Sequence, residues 1–199
     1  MHLIFNHPKI NNKKEEKGLS LIESAMVLAL AATVTAGVMF YYQSASDSNK
    51  TQAAISEVMS ATSAINGLYI GQSSYSGLQA KVLVNSSAIP DNYKDKVNSK
   101  ILNPFGGELK VEVPTNSSSS YGYALTLEKL PKSACINLAT LNLGTSAAGY
   151  GIGMTNLNNV SFKSNITTTD QAKLTAITPA EAADACTDGN ANKVSYFMK

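Results

Sequence analysis

One carboxylate at the edge of an apolar stretch, one pair of cysteines and two histidines are the side chains of this 199-residue chain whose type and spacing invite chemistry. His2 and His7 both lie in the first seven residues. Imidazole catalysis and imidazole metal ligation are therefore closed to everything downstream. The 16 basic residues are all lysine. Without Arg, no planar fork can clamp phosphate or read guanine edges. The lysines stand singly apart from Lys13-Lys14, so no basic patch builds a nucleic-acid surface, and no nucleic-acid partner is expected.

Glu23 is the most informative acid. From Ser24 to Ser46 the chain carries no charge, a run of 23 residues rich in Ala, Val, Leu and Met. As a helix this run would be about 34 Å long, enough to cross a hydrocarbon core of roughly 30 Å. Lys9, Lys13, Lys14 and Lys17 precede it, which keeps the N-terminal end on the cytoplasmic side. An ordinary secretory signal would place its small-x-small site after the apolar core; Ala29-Leu30-Ala31 falls in the middle. A plain membrane anchor fits the length but not Glu23, because a carboxylate in hydrocarbon normally has a partner. A cut after Gly18 would supply one. The new amino group of Leu19 would stand four residues before Glu23, on one helical face with it. The alternative is a carboxylate resting at headgroup depth, where it suits the helix dipole.

Cys135 and Cys186 are the only cysteines and lie on the exported side of that segment. An even pair in an oxidising compartment is most often a disulfide. The rival, an activated thiol, has neither a downstream histidine as base nor a C-x-x-C partner. Gly149-Tyr150-Gly151-Ile152-Gly153 lacks the Lys-Ser/Thr of a phosphate cradle and reads as strand or turn glycines. No Ser stands three residues before a Lys, Asp91 and Asp95 are too few for a calcium loop, and the sequons at Asn85 and Asn165 are of a common kind. No catalytic residue, metal or cofactor is expected.

The elements that must carry these residues follow from period and punctuation. Ile55, Val58, Met59, Thr62, Ile65 and Tyr69 recur at spacings of three and four, the pattern of one buried helical face. No Pro occurs between Pro8 and Pro90, so one helix from Leu19 to about Tyr69 is expected, with Gly67 and Gly71 as stops. Two helices meeting near Asp47 are the alternative. Beyond Gly71, strands are expected at Lys81–Val84, Leu109–Val113, Tyr121–Leu127, Tyr150–Met154, Val160–Phe162 and Val194–Met198, with a loop at 116–120. Helices are expected at Lys132–Leu143 and at Pro179–Cys186, the latter capped by Thr178. The fold class is α+β, a helical spine on an antiparallel sheet.

Lys17-Gly18-Leu19-Ser20-Leu21-Ile22-Glu23 followed by an apolar run resembles the processing and assembly motif of type IV prepilins. Leu after the cut and Phe40-Tyr41-Tyr42-Gln43 point to the b subclass. Leu19 to Gly77, Asn103-Pro104-Phe105-Gly106-Gly107, Leu138 to Thr145 and the ending Tyr196-Phe197-Met198-Lys199 are similar to the bundlin branch of that family. The resemblance implies the type IV pilin fold: a leader at 1–18, a spine at 19–70 whose 19–46 segment serves as transmembrane helix and filament core, and a head at 71–199. It implies that a prepilin peptidase cuts between Gly18 and Leu19, that Leu19 is N-methylated, and that Glu23 neutralises the N-terminus of an adjacent subunit. It agrees with a Cys135–Cys186 disulfide. The implied role is structural: a subunit held in the inner membrane, then polymerised with its own copies by pilus assembly machinery into surface fibres that bundle and adhere to host cells. A minor pilin or pseudopilin is the alternative within the group, and a membrane-anchored periplasmic binding module the alternative outside it.

Overall fold

The computed structural model describes residues 20–115, 120–158 and 160–199. Two compact units divide the chain at Gln43 and Ser44. Helix α1 (Leu21–Leu68, 48 residues) contributes its first half to one unit and its second half to the other.

The helix has local reasons to start, continue and stop. At its start the Ser20 N–H donates to Glu23 Oε2 at 2.9 Å and the Glu23 N–H donates to Ser20 Oγ at 3.2 Å, the reciprocal pair of a capping box. Along the apolar half, Thr33 and Thr35 turn their hydroxyls back onto the Ala29 and Ala31 carbonyls, each at 2.7 Å, so neither is left bare. Gly37 does not interrupt the helix. The chain leaves it through Gly71, whose φ of 80° suits a residue without a Cβ. One continuous helix therefore replaces the two-helix alternative.

The buried face of α1 differs from the one expected. Thr51, Ala54, Glu57, Val58, Ala61 and Ile65 are buried, while Met59 is 54% exposed and Ile55 and Thr62 are only half-buried. Periodicity had the right angle but the wrong centre. Ala54 and Ala61 lie fully buried on this face beside Val58 and Ile65, small residues that size-weighted periodicity underrates.

The Ser44–Lys199 unit is an α+β head. Strands β1 (Lys94–Asp95) and β2 (Lys100–Ile101) form a small ribbon. A six-stranded sheet holds β3 (Leu109–Glu112), β4 (Tyr123–Leu130), β5 (Ala147–Ile152), β6 (Phe162–Lys163), β7 (Gln171–Lys173) and β8 (Asn192–Met198) in the order β3-β4-β8-β5-β7-β6. Every pairing is antiparallel except β6 with β7, which is parallel. The C-terminal strand β8 thus lies inside the sheet. Alternation along the strands builds two apolar layers. Tyr123, Leu125, Leu127, Val194 and Tyr196 join Ala54, Val58, Ala61 and Ile65 in the main core. Ala124 and Phe197 face the other way and pack with Tyr121, Met154 and Ala172.

Three expected elements are corrected. Lys81–Val84 is not a strand but part of helix α2 (Ala80–Val84), one turn that buries the adjacent pair Leu83 and Val84, which strand alternation would split. Helix α3 (Lys132–Ala139) ends before Leu143; the Thr140 hydroxyl bonds the Ile136 carbonyl, and a 3-10 turn at Gly144–Ser146 follows. Strand β5 begins at Ala147 rather than Tyr150, because Ala147 and Gly149 already pair with Met198 and Phe197 of β8. Helix α4 (Pro179–Ala185) starts as expected, with Thr178 and Glu181 forming a capping box. The expected loop at 116–120 lies outside the described residues except for Ser120.

Candidate functional site

Among the described residues the apolar half of α1 is left uncovered. Ile22, Leu28, Leu30, Phe40, Tyr41 and Tyr42 are each about 70% exposed, and the helix carries a stretch long and apolar enough to cross a membrane. Exposed surface of that kind must be covered by lipid or by protein. Glu23 opens the segment, solvent-exposed in the first turn of α1, with its carboxylate turned back on the Ser20 N–H. Gly18 and Leu19 lie outside the described residues. The Ser20–Glu23 cap was legible as S-x-x-E before an apolar run, a signal the spacing argument passed over.

Cys135 of α3 and Cys186 at the end of α4 form a disulfide, with Cα atoms 6.1 Å apart and a sequence separation of 51. In the chain-entropy account, closing a loop of that size stabilises the fold by about 4 kcal/mol. Glu181 extends the same region. It accepts from the Thr178 N–H at 2.9 Å, from the Ile166 N–H at 3.2 Å and from Lys173 Nζ at 2.9 Å. The Thr178 N–H above all, aided by Lys173, holds the Glu181 carboxyl down at about 2 despite its partial burial. One carboxylate thus ties α4 to β7 and to the loop before it.

The motifs that carried the resemblance are structural staples. In Asn103-Pro104-Phe105-Gly106-Gly107, the Asn103 amide donates to the Glu128 carbonyl at 2.8 Å, and its Oδ1 accepts from the Phe105 and Gly107 N–H groups. A Cβ on Gly107 would collide with the Glu128 carbonyl, so only glycine fits. Beside it, Glu128 bonds Lys110 and Lys193, each at 2.9 Å. The glycines of Gly149 to Gly151 lie in β5, where Cβ atoms would strike Phe162 and Met154. Asp91 pairs with Lys94 at 3.2 Å, and Asp95 caps the turn at Val97 and Asn98. Among the described residues no group of three or more His, Cys, Asp or Glu is placed to hold a metal ion.

Glu57 is the residue that pattern reading missed. It is 3% exposed, neither carboxyl oxygen has a hydrogen-bond partner, and burial pushes its pKa up to about 8. Its spacing from Ala54, Val58 and Ala61 put it on the buried face, but a lone acid among small residues does not register as periodicity.

Comparison with known proteins adds to this geometry. The family model for bundlins matches residues 43–199, beginning one residue before the second compact unit. Two proteins described as the major structural subunit of bundle-forming pilus, from Escherichia coli O111:H- and Escherichia coli O127:H6, are each 70% identical over 193 residues, covering 96% of this chain and 98% of theirs. A type IVb pilin from Salmonella typhi, 18% identical, has a TM-score of 0.50 over 73% of this chain and 98% of its own, which bears on the fold alone. A long N-terminal helix, an α+β head closed by a disulfide and a near-full-length match of 70% identity together make this chain a member of the bundlin family of type IV pilins.

Proposed function

We propose that this chain is the precursor of the major structural subunit of a bundle-forming pilus, a type IVb fibre that serves bacterial aggregation and adherence to host cells. The carrying observation is 70% identity to two such subunits along nearly the whole length of both partners. The bare apolar half of α1 supports the reading physically. It needs lipid around it before assembly and neighbouring copies of itself afterwards, and the exchange is feasible because packed side chains replace lipid contacts.

In this account the precursor waits in the inner membrane, a prepilin peptidase cuts between Gly18 and Leu19, and Leu19 is N-methylated. Glu23 then meets the amino group of an adjacent subunit. Its capping bond to Ser20 holds the carboxylate at the helix start, a position compatible with an intermolecular ion pair in a water-poor filament core. The role is structural, with no chemistry performed by the subunit itself. Its partners are other copies, the assembly machinery, neighbouring pili and the host surface.

Replacing Glu23 with Ala tests the central residue. The variant should insert in the membrane at normal levels yet yield no sheared surface fibres. Fibres at wild-type yield would remove Glu23 from assembly. A protein found only as a trace in the wild-type fibre fraction would make the chain a minor pilin instead.

A further inference from the structure

Glu57 is the one charged side-chain type among the buried described residues, and it sits where an apolar residue would pack without penalty. It belongs to the α1 face that also buries Thr51, Ala54, Val58, Ala61 and Ile65. Both of its carboxyl oxygens are enclosed and unpartnered. On its own helix the charged neighbours are Asp47, which accepts from Thr51 through its backbone carbonyl, and Lys50, which is exposed; neither pairs with it. The core into which this face packs buries Tyr123 of β4, Tyr150 of β5 and Tyr196 of β8, with Tyr69, Tyr75 and Tyr93 packed at its edge; the Tyr123 hydroxyl, like the Glu57 carboxyl, is buried without a hydrogen-bond partner. The hydroxyls of Tyr150 and Tyr196 are occupied with Asn142 and with the Leu138 carbonyl. Lysines nearer the core are committed elsewhere: Lys94 to Asp91, Lys110 and Lys193 to Glu128, Lys173 to Glu181.

A carboxylate in that position has lost its water and gained no cation or donor in return, so the folded unit favours its neutral form. The unfolded chain, with Glu57 in water, does not. Folding therefore takes up a proton at this residue across the mildly acidic to neutral range, and losing that proton works against the packing of α1 on the strands.

We propose that Glu57 is a proton-controlled latch: as the neutral acid it lets residues 51–65 of α1 seat on the head, and its ionisation in an alkaline medium releases that seating. The latch lies within the Ser44–Lys199 unit and does not depend on the role proposed for the chain as a fibre subunit. Burial alone raises the Glu57 pKa from an ordinary 4.5 to about 8. The sign follows. Below the unfolded value both states are protonated and nothing is lost; above it the folded state is penalised until, near pH 8, its own carboxyl ionises. The accumulated change in the folded-to-unfolded ratio is on the order of 10³-fold by pH 8.5.

The test uses the full chain in detergent micelles. Unfolding midpoints and hydrogen exchange of residues 51–65 are compared at pH 5 and pH 8.5 for the wild type and Glu57→Gln. The variant, carrying a neutral isostere, should match the wild type at pH 5. At pH 8.5 it should be the more stable and exchange more slowly over 51–65 by a factor approaching the same 10³. Parallel pH profiles for the two proteins would overturn the latch. Should the variant fail to fold, the Glu57 carboxyl carbon of the wild type can be titrated directly by NMR. A midpoint above pH 7 supports the proposal; a midpoint near 4.5 ends it.

Discussion

Two helices of this chain begin with the same four-residue device, and the difference between them lies in what else the acid touches. Ser20-x-x-Glu23 and Thr178-x-x-Glu181 are both capping boxes. Among the described residues Glu23 faces solvent and bonds only the helix start at Ser20. Glu181 is 13% exposed and also takes Lys173 and the Ile166 N–H, so its bonds are spent inside the head. Its carboxyl is held at about 2, below the ordinary 4.5. The stability it contributes is thus complete above pH 4.5 and is lost as pH falls from there toward 2, the opposite limb from Glu57. Glu181→Gln should destabilise the head by about 1–3 kcal/mol at pH 7, with the gap to wild type closing near pH 2, as read by urea unfolding at both values. Both boxes are legible in sequence, since S/T-x-x-E is local. What Glu181 binds across the fold is not, because Lys173 and Ile166 reach it only through tertiary folding.

At the level of elements, α1 and the sheet were legible and their meeting surface was not. The helix declared itself through a proline-free stretch and a period of 3.6. Periodicity weighted Met59 and Ile55 by their size, whereas the packed face selects Ala54 and Ala61 for lack of it. The two assignments predict different mutants. Ala61→Leu should force the helix off the strands and cost about 1–3 kcal/mol. Met59→Ser, on the open side, should change stability by less than about 0.5 kcal/mol. Thermal unfolding of the two variants decides the matter, and the reverse ranking would restore the face expected from periodicity. The short elements failed for a related reason. A short run such as Lys81–Val84, with three apolar residues after a lysine, fits one helical turn as well as a strand until its neighbours are known, and β7 is too short and too polar to show a period at all.

Across the whole molecule, charge and apolar surface fit a subunit made to be stacked. With residues 1–18 removed, the remaining 181 hold 12 lysines and 12 acids, so long-range repulsion between copies is small. The disulfide and the interior position of β8 tie the C-terminal third into the head. The apolar half of α1, bare in a single copy, is the part that a fibre would bury. The most direct test is the intact mass and N-terminal sequence of the protein sheared from cell surfaces. The account predicts a chain that begins at N-methylated Leu19, dominates the fibre fraction and is two hydrogens lighter than its reduced form. A chain that begins near Ala32, or an intact chain from Met1 confined to the membrane, would contradict it.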